Sequence, residues 1–364
     1  MRRGAPSSRA WPGATLTSWR AFCTLRRRRQ RAYTLTTGYR LRALGAADEK
    51  LESPSGDWSS IVTGPLHLVT GAGGGTAGVS RLVIAQLRRR GERVRALVHR
   101  DDARADPLRD LGAEVVVGDL TDPQSVVDAM AGVDRMFFSM SVSPDYLQAT
   151  VVICDAALES RRLEVLLNMS QMTVSQMTLT SVGESRQHRL HFLAEHVLNW
   201  SGVPVVHIRP TTFLDNPIFT QFAVPSIRER NVLALPFGTG RTSPIAASDV
   251  ARVVSTVLMD PAQCIGQVYE LTGPESLDIA GLAAQYARAL RRPITGADIP
   301  HDRWVDKVLK PLNLPAHLQQ HLATMALLHR AGRYDRSTDD VERLTGQPAL
   351  SVEQYIAGNP GLFS

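Results

Sequence analysis

From residue 65 onward the chain alternates short apolar runs with amphipathic helical patterns, and no other feature constrains its fold as tightly. Leu66-His67-Leu68-Val69 runs straight into a cluster of glycines, which predicts a buried strand ending in a turn. Residues 79–90 place Leu82, Val83 and Leu87 at helical spacing, and Gly91 supplies the stop. The alternation continues through a strand at 94–98, a helix near 105–111 and a strand at 114–117. A helix over 123–131 follows, with Asp122 as its cap and Pro123 in its first turn, then a strand at 136–138. A helix over about 145–160, a strand at 165–167, a long helix over 184–200 and a strand at 205–208 complete six repeats. Strands separated by helices cannot pair as hairpins. They must lie parallel with right-handed crossovers, so the expected fold class is α/β, a doubly wound parallel sheet of Rossmann type.

The flanks differ. Residues 1–62 are rich in Arg, Ser, Thr and Gly, lack an apolar period and end near the breaker cluster Ser53-Pro54-Ser55-Gly56, which predicts a disordered, arginine-rich extension. Eleven arginines precede the first acidic residue, Asp48, and the remainder carries 30 basic against 35 acidic groups. The positive net charge therefore belongs to the extension, and the body gives no reason to expect nucleic-acid binding. The extension reads as an upstream start, an organelle presequence within residues 1–47, or a basic arm; a secretory signal is unsupported, because Arg2-Arg3 precedes no apolar stretch. Beyond Arg209-Pro210, prolines 217, 225, 236 and 244 break the pattern. Ser248 is placed to cap a helix over 249–258, residues 267–271 read as a late strand that can join the sheet, and the rest is mostly helical. The expected division is an extension at 1–62, a Rossmann domain at 63–208 and a smaller, mostly helical substrate or cap region at 209–364. Three scattered cysteines offer neither a disulfide framework nor a zinc site, and no run reaches the ~18 apolar residues of a spanning helix. A reducing, cytoplasmic compartment is expected, or an organelle matrix if a presequence is present, with no metal and no membrane partner.

The segment that carries chemistry is Val69-Thr70-Gly71-Ala72-Gly73-Gly74-Gly75-Thr76-Ala77-Gly78, between the first strand and the first helix. Gly73, Gly75 and Gly78 satisfy G-x-G-x-x-G. In this position the spacing supplies a tight turn, close backbone approach to a pyrophosphate and a helix N-terminus that attracts anions. The predicted ligand is a pyridine dinucleotide held by Gly71, Gly73, Gly74, Gly75, Thr76 and Gly78. The second strand ends in His99-Arg100, and a basic residue there favours the 2′-phosphate of NADP, whereas Asp101 and Asp102 keep NAD as the alternative. Asp119 and Leu120, after the third strand, are placed to meet the adenine; Ser139, after the fourth, completes the expected contacts.

With TGAGGGTAG, VRALVHR and GDLTD in this order, the body resembles the NmrA-like branch of the atypical short-chain dehydrogenases/reductases. The likeness continues in Leu167-Asn168-Met169-Ser170, in the helix around His191 and Glu195, in His207-Ile208-Arg209-Pro210 and in Ser248-Asp249-Val250-Ala251. It implies an NAD(P)-binding Rossmann domain belonging either to a reductase of quinones and related electrophiles or to a non-catalytic regulator that senses the nucleotide and acts through a protein partner. Two departures stand out. From Gly71 and Gly74 the third glycine of the family's T-G-x-x-G-x-x-G would fall on Ala77, but it stands at Gly78. The chain also lacks a Tyr-x-x-x-Lys pair, since its only lysines are Lys50, Lys307 and Lys310.

The expected catalytic candidates are Ser170, at the end of the fifth strand, and His191, where the family often has lysine. Ser170 is read as a ligand for a substrate oxygen or as a strand-end turn. His191 is read as a ribose-orienting or proton-shuttling group titrating near neutrality, or as a surface histidine paired with Glu195 at i,i+4. Met169, Met172 and Met177 are candidate walls of an apolar pocket. An NADP-dependent reduction of a flat quinone-like or conjugated acceptor, with solvent or His191 supplying the proton, is the leading expectation. Residues 332–343 read as a charged surface turn, and His317 and His321 as a helical pair without a third metal ligand.

Overall fold

The computed structural model describes residues 64–74 and 78–363. The expected extension at 1–62 lies outside the described residues, as do Gly75 and Thr76. The repeats fold into strands β1 (Leu66–Val69), β2 (Arg93–Val98), β3 (Glu114–Val117), β4 (Arg135–Phe138), β5 (Val165–Met169) and β6 (Val205–Pro210). Between them run helices α1 (Val79–Arg89), α2 (Asp106–Asp110), α3 (Pro123–Met130), α4 (Tyr146–Ser160) and α5 (Arg186–Ser201). Every pairing is parallel. The strand order is β3-β2-β1-β4-β5-β6, and β8 (Val268–Leu271) extends it beyond β6. The late strand therefore does join the main sheet.

The two-residue period of a strand explains why these runs are apolar throughout. Leu68, Met136 and Leu166 face one layer with Val126, Ile153 and Leu198, while their neighbours Val69, Phe137 and Leu167 face the other with Val83, Leu87 and Val254. Both faces are buried, so there is no polar face to write into the sequence. The second layer includes α7 (Ala247–Met259), which packs on α1 although it comes late in the chain.

The remaining elements are α6 (Val224–Arg230), β7 (Val232–Leu235), α8 (Ile279–Leu290), β9 (Thr295–Asp298), α9 (His301–Trp304), α10 (Ala316–Arg330), α11 (Asp340–Thr345) and α12 (Val352–Gly358). Most of these build a separate apolar core around Phe219, Phe237, Tyr286 and Trp304. Among the described residues no helix is long and apolar enough to cross a membrane.

Several expectations change. Ser248 does not cap α7: the helix begins at Ala247, and Asp215 from a distant loop accepts the Ala247 N–H at 2.8 Å. Strands β7 and β9 form a small parallel sheet where the prolines suggested loop, because β7 ends just before Pro236 and β9 (TGAD) has no apolar run to advertise it. The long helix starts at Arg186, where Ser185 and His188 form a capping box. The expected cap of α3 is present, with Asp122 accepting from the Ser125 N–H at 3.0 Å. Asp122→Ala is expected to lower stability, read as a lower urea midpoint with an unchanged slope.

Candidate functional site

At the centre of the sheet the crossovers reverse direction, and the ends of β1 and β4 lie side by side. Crevices for ligands open at such a point. The Thr70 hydroxyl bridges the two ends, donating to the Ser139 carbonyl at 2.7 Å and accepting from the Ser139 N–H at 2.9 Å. The next residue, Gly71, has φ +69°, and a β-carbon there would stand 2.6 Å from the Ser139 carbonyl oxygen. Only glycine fits that turn. Gly74 and Gly78 also take positive φ, at +126° and +62°, whereas Gly73 does not and lies against Val98. Gly78 leads into α1 without a side-chain cap, so the first turn of the helix offers its N–H groups to the turn. A backbone cradle with room only for hydrogen at Gly71, facing an uncapped helix N-terminus, fits a diphosphate.

A cavity of about 600 Å³ runs from this turn across the C-terminal ends of β4, β5 and β6. Gly71, Gly74, Gly78, Ser139 and Ser170 line its near part; Phe213, Phe222, Leu318, Leu322 and Met325 line its far, apolar part. Of the expected methionines Met169 lines the cavity, while Met172 and Met177 are buried elsewhere in the packing. His99 and Arg100 are exposed at the end of β2. Arg104, which the sequence reading passed over, is held by Asp102 at 2.9 Å and lies over Gly74, within 3.4 Å of where a β-carbon would be. Leu120 is half-buried. Asp119 closes a turn by accepting from the Thr121 N–H and hydroxyl, both at 2.8 Å, and these bonds hold its carboxyl below the usual range.

Ser170 is 2% exposed, and its hydroxyl donates to Glu195 Oε1 at 2.5 Å. Glu195, 3% exposed, is gripped by Arg209 through Nε at 2.9 Å and Nη2 at 2.5 Å. Arg209 also reaches toward Glu270, which Arg336 pairs at 2.9 Å. The Ser170 proton is thereby committed, and the oxygen's lone pairs are what it offers to the cavity.

The expected exposed pairing of His191 with Glu195 does not occur, because Arg209 takes the carboxylate. His191 is 5% exposed, lines the cavity and packs on Tyr146 with ring centroids 4.1 Å apart. Burial pushes it down to about 3, so it does not titrate near neutrality. Its tautomer follows from its neighbours. Gln187 Oε1 accepts from the Ser143 N–H at 3.2 Å and from His317 Nε2 at 2.8 Å, so the Gln187 amide nitrogen donates to His191 Nε2 at 3.2 Å. The ring proton then sits on Nδ1, which has no hydrogen-bond partner among the described residues.

The segment expected as a charged surface turn carries a cavity wall. Tyr334 is 3% exposed and stacks on His329, which is sandwiched against Phe237 at 3.9 Å. Burial raises the Tyr334 phenol. His321 pairs with Ser185 at 2.8 Å.

Residues 74–261 match the NAD(P)H-binding family, a span of more than half the chain. The chain is 26% identical to the NAD(P)H azoreductase of Xenophilus azovorans, over 80% of this chain and 97% of that protein. It is 28% identical to the (4-alkanoyl-5-oxo-2,5-dihydrofuran-3-yl)methyl phosphate reductase of Streptomyces griseus, over 82% and 99%. Its fold is similar to that of the NADPH-dependent quinone oxidoreductase of Escherichia coli complexed with NADPH, with a TM-score of 0.68 and 21% identity over 81% of this chain and 99% of that one.

His191, His321 and His329 are each held at about 3 by burial. In the unfolded chain they take up protons below about 6.5, so the unfolded state binds more protons between pH 6.5 and 3. Stability is fully present above pH 6.5 and is lost as pH falls, each histidine contributing as much as about 1.4 kcal/mol per pH unit. Urea midpoints measured from pH 7 to pH 5 should therefore drop steeply; a flat profile would contradict this account of the three rings.

Proposed function

The chain belongs to the NAD(P)H-binding family, and from that premise we propose that it is an NADP(H)-dependent oxidoreductase that reduces a flat, conjugated acceptor. One observation carries this reading: a single cavity joins the glycine turn to an apolar chamber, with Ser139 and Ser170 between them. Gly71, Gly74 and the first turn of α1 would hold the diphosphate, together with Gly73, Gly75, Thr76 and Gly78 as the motif spacing suggests. Arg100, with His99 beside it, would meet the 2′-phosphate of NADP, and Asp119 and Leu120 would border the adenine. The coenzyme, when bound, supplies a hydride.

The chain's own groups do the remaining work. Ser170, its proton held by Glu195, accepts a hydrogen bond from whatever lies over β5. His191 is held neutral and keeps its ring proton on a buried Nδ1, so it does not shuttle a proton. The apolar residues of the region 209–364, which we read as the substrate-binding cap, exclude water from the chamber. With no Tyr-x-x-x-Lys pair in the sequence, the reading favours acceptors that need little acid catalysis. Cys154 and Cys264, free and buried among the described residues, suit a reducing, cytoplasmic setting.

Anaerobic titration with NADPH and NADH, followed by a panel of conjugated acceptors, tests the proposal. NADPH should bind more tightly than NADH, Arg100→Ala should reduce that preference about tenfold, and at least one acceptor should oxidise NADPH catalytically. Tight binding with no turnover across the panel would replace this reading with that of a nucleotide-sensing regulator.

A further inference from the structure

Gln187 joins three parts of the molecule through one buried amide. It is fully enclosed in the first turn of α5, and its Oε1 accepts from the Ser143 N–H at 3.2 Å and from His317 Nε2 at 2.8 Å. A backbone N–H can only donate, so the oxygen faces Ser143 and the amide nitrogen faces His191 Nε2, at 3.2 Å. Ser143 belongs to the loop between β4 and α4, and His317 to α10.

The two N–H groups that share this oxygen come from opposite ends of the cavity. Residues 139–142, immediately before Ser143, line its near part beside the glycine turn; Ser139 is bonded to Thr70, and the Ser141 hydroxyl reaches the Gly74 carbonyl at 3.4 Å. Leu318, Leu322 and Met325, which follow His317, line the far part. Two further bonds hold α10 against the start of α5, between Ser185 and His321 at 2.8 Å and from the Arg186 N–H to Gln320 at 3.1 Å, but neither involves the loop after β4. Among the described residues, Gln187 is therefore the one hydrogen-bonded bridge from that loop to α10.

The Gln187 amide is out of reach of water, and leaving a buried donor or acceptor unpaired costs more than the bond itself contributes net. When the loop after β4 is fixed, Gln187 is fixed with it, and α10 keeps its bond only in the docked position. We propose that Gln187 is a positioning residue through which coenzyme binding at the glycine turn holds α10 in place and so completes the acceptor chamber. The proposal rests on the NADP(H)-dependent reading of this cavity and adds an order to it, coenzyme first and acceptor second.

Amide hydrogen exchange on the full chain, with and without saturating NADP⁺, tests it, and the readout is the ratio of α10 exchange rates between the two states. In the wild type, exchange across α10 should slow at least about fivefold when the coenzyme is present. Gln187→Met, similar in length but without the amide, should remove that slowing. His317→Ala should do the same from the other end of the bridge, where the ring is only half-buried and no core side chain is lost. Gln320→Ala cuts a tie of α10 that bypasses the loop, so it should speed exchange alike in both states and leave the ratio as in the wild type. A merely structural Gln187 would behave as Gln320 does.

Wild-type α10 that exchanges at one rate with and without NADP⁺, while the Gly71–Gly74 turn is slowed, overturns this proposal alone. Slowing that persists in folded Gln187→Met or His317→Ala also overturns it, and assigns the effect to direct contact between the coenzyme and α10. If Gln187→Met fails to fold, His317→Ala decides. No slowing anywhere in the chain means that the coenzyme does not bind, and the oxidoreductase reading then falls as well.

Discussion

The Thr70 hydroxyl, set between the carbonyl and the N–H of Ser139, ties the ends of the two central strands together at the point where the sheet's winding reverses. Everything proposed for the site depends on that tie. It brings the Ser139 carbonyl so close to residue 71 that no side chain fits there, and the left-handed turn that glycine then permits directs the chain into α1. The uncapped first turn of α1 and the mouth of the cavity meet at this place. The cradle proposed for the diphosphate is thus a consequence of strand packing, and needs no dedicated cationic side chain.

A second buried network fixes the other end of the crevice. Glu195 on α5 and Arg209 on β6 are both largely removed from water, and their paired bonds offset a desolvation cost that either charge alone could not bear. The geometry withdraws the Ser170 proton from the cavity and leaves His191 to Gln187 rather than to Glu195. The result is a chamber lined by neutral donors and acceptors, apolar rings and one carboxylate.

The sheet was legible because both faces of its strands are buried, which left unmistakable runs such as Met136-Phe137-Phe138, and because Asp122, Pro123 and Gly91 punctuate the helices by local chemistry. The glycine turn was legible for the same reason, since the role proposed for it is a backbone property. The cavity wall was harder to read because its groups converge from far apart. Asp215 serves a helix that begins 32 residues later, and Tyr334 sits among charged neighbours that advertise a surface turn. The i,i+4 rule correctly made Glu195 a neighbour of His191, but it could not weigh a competing arginine on another strand. Strand β9 escaped because Thr295-Gly296-Ala297-Asp298 carries no apolar pattern at all.

Amide hydrogen exchange with and without saturating NADPH tests the central claim most directly. The first-turn amides of α1, beginning at Val79, have no acceptor within the helix, and a diphosphate seated in the cradle should slow their exchange together with that of the Gly71–Gly74 turn. If NADPH binds while these amides exchange at their free rate, the coenzyme sits elsewhere and the account of the site is wrong.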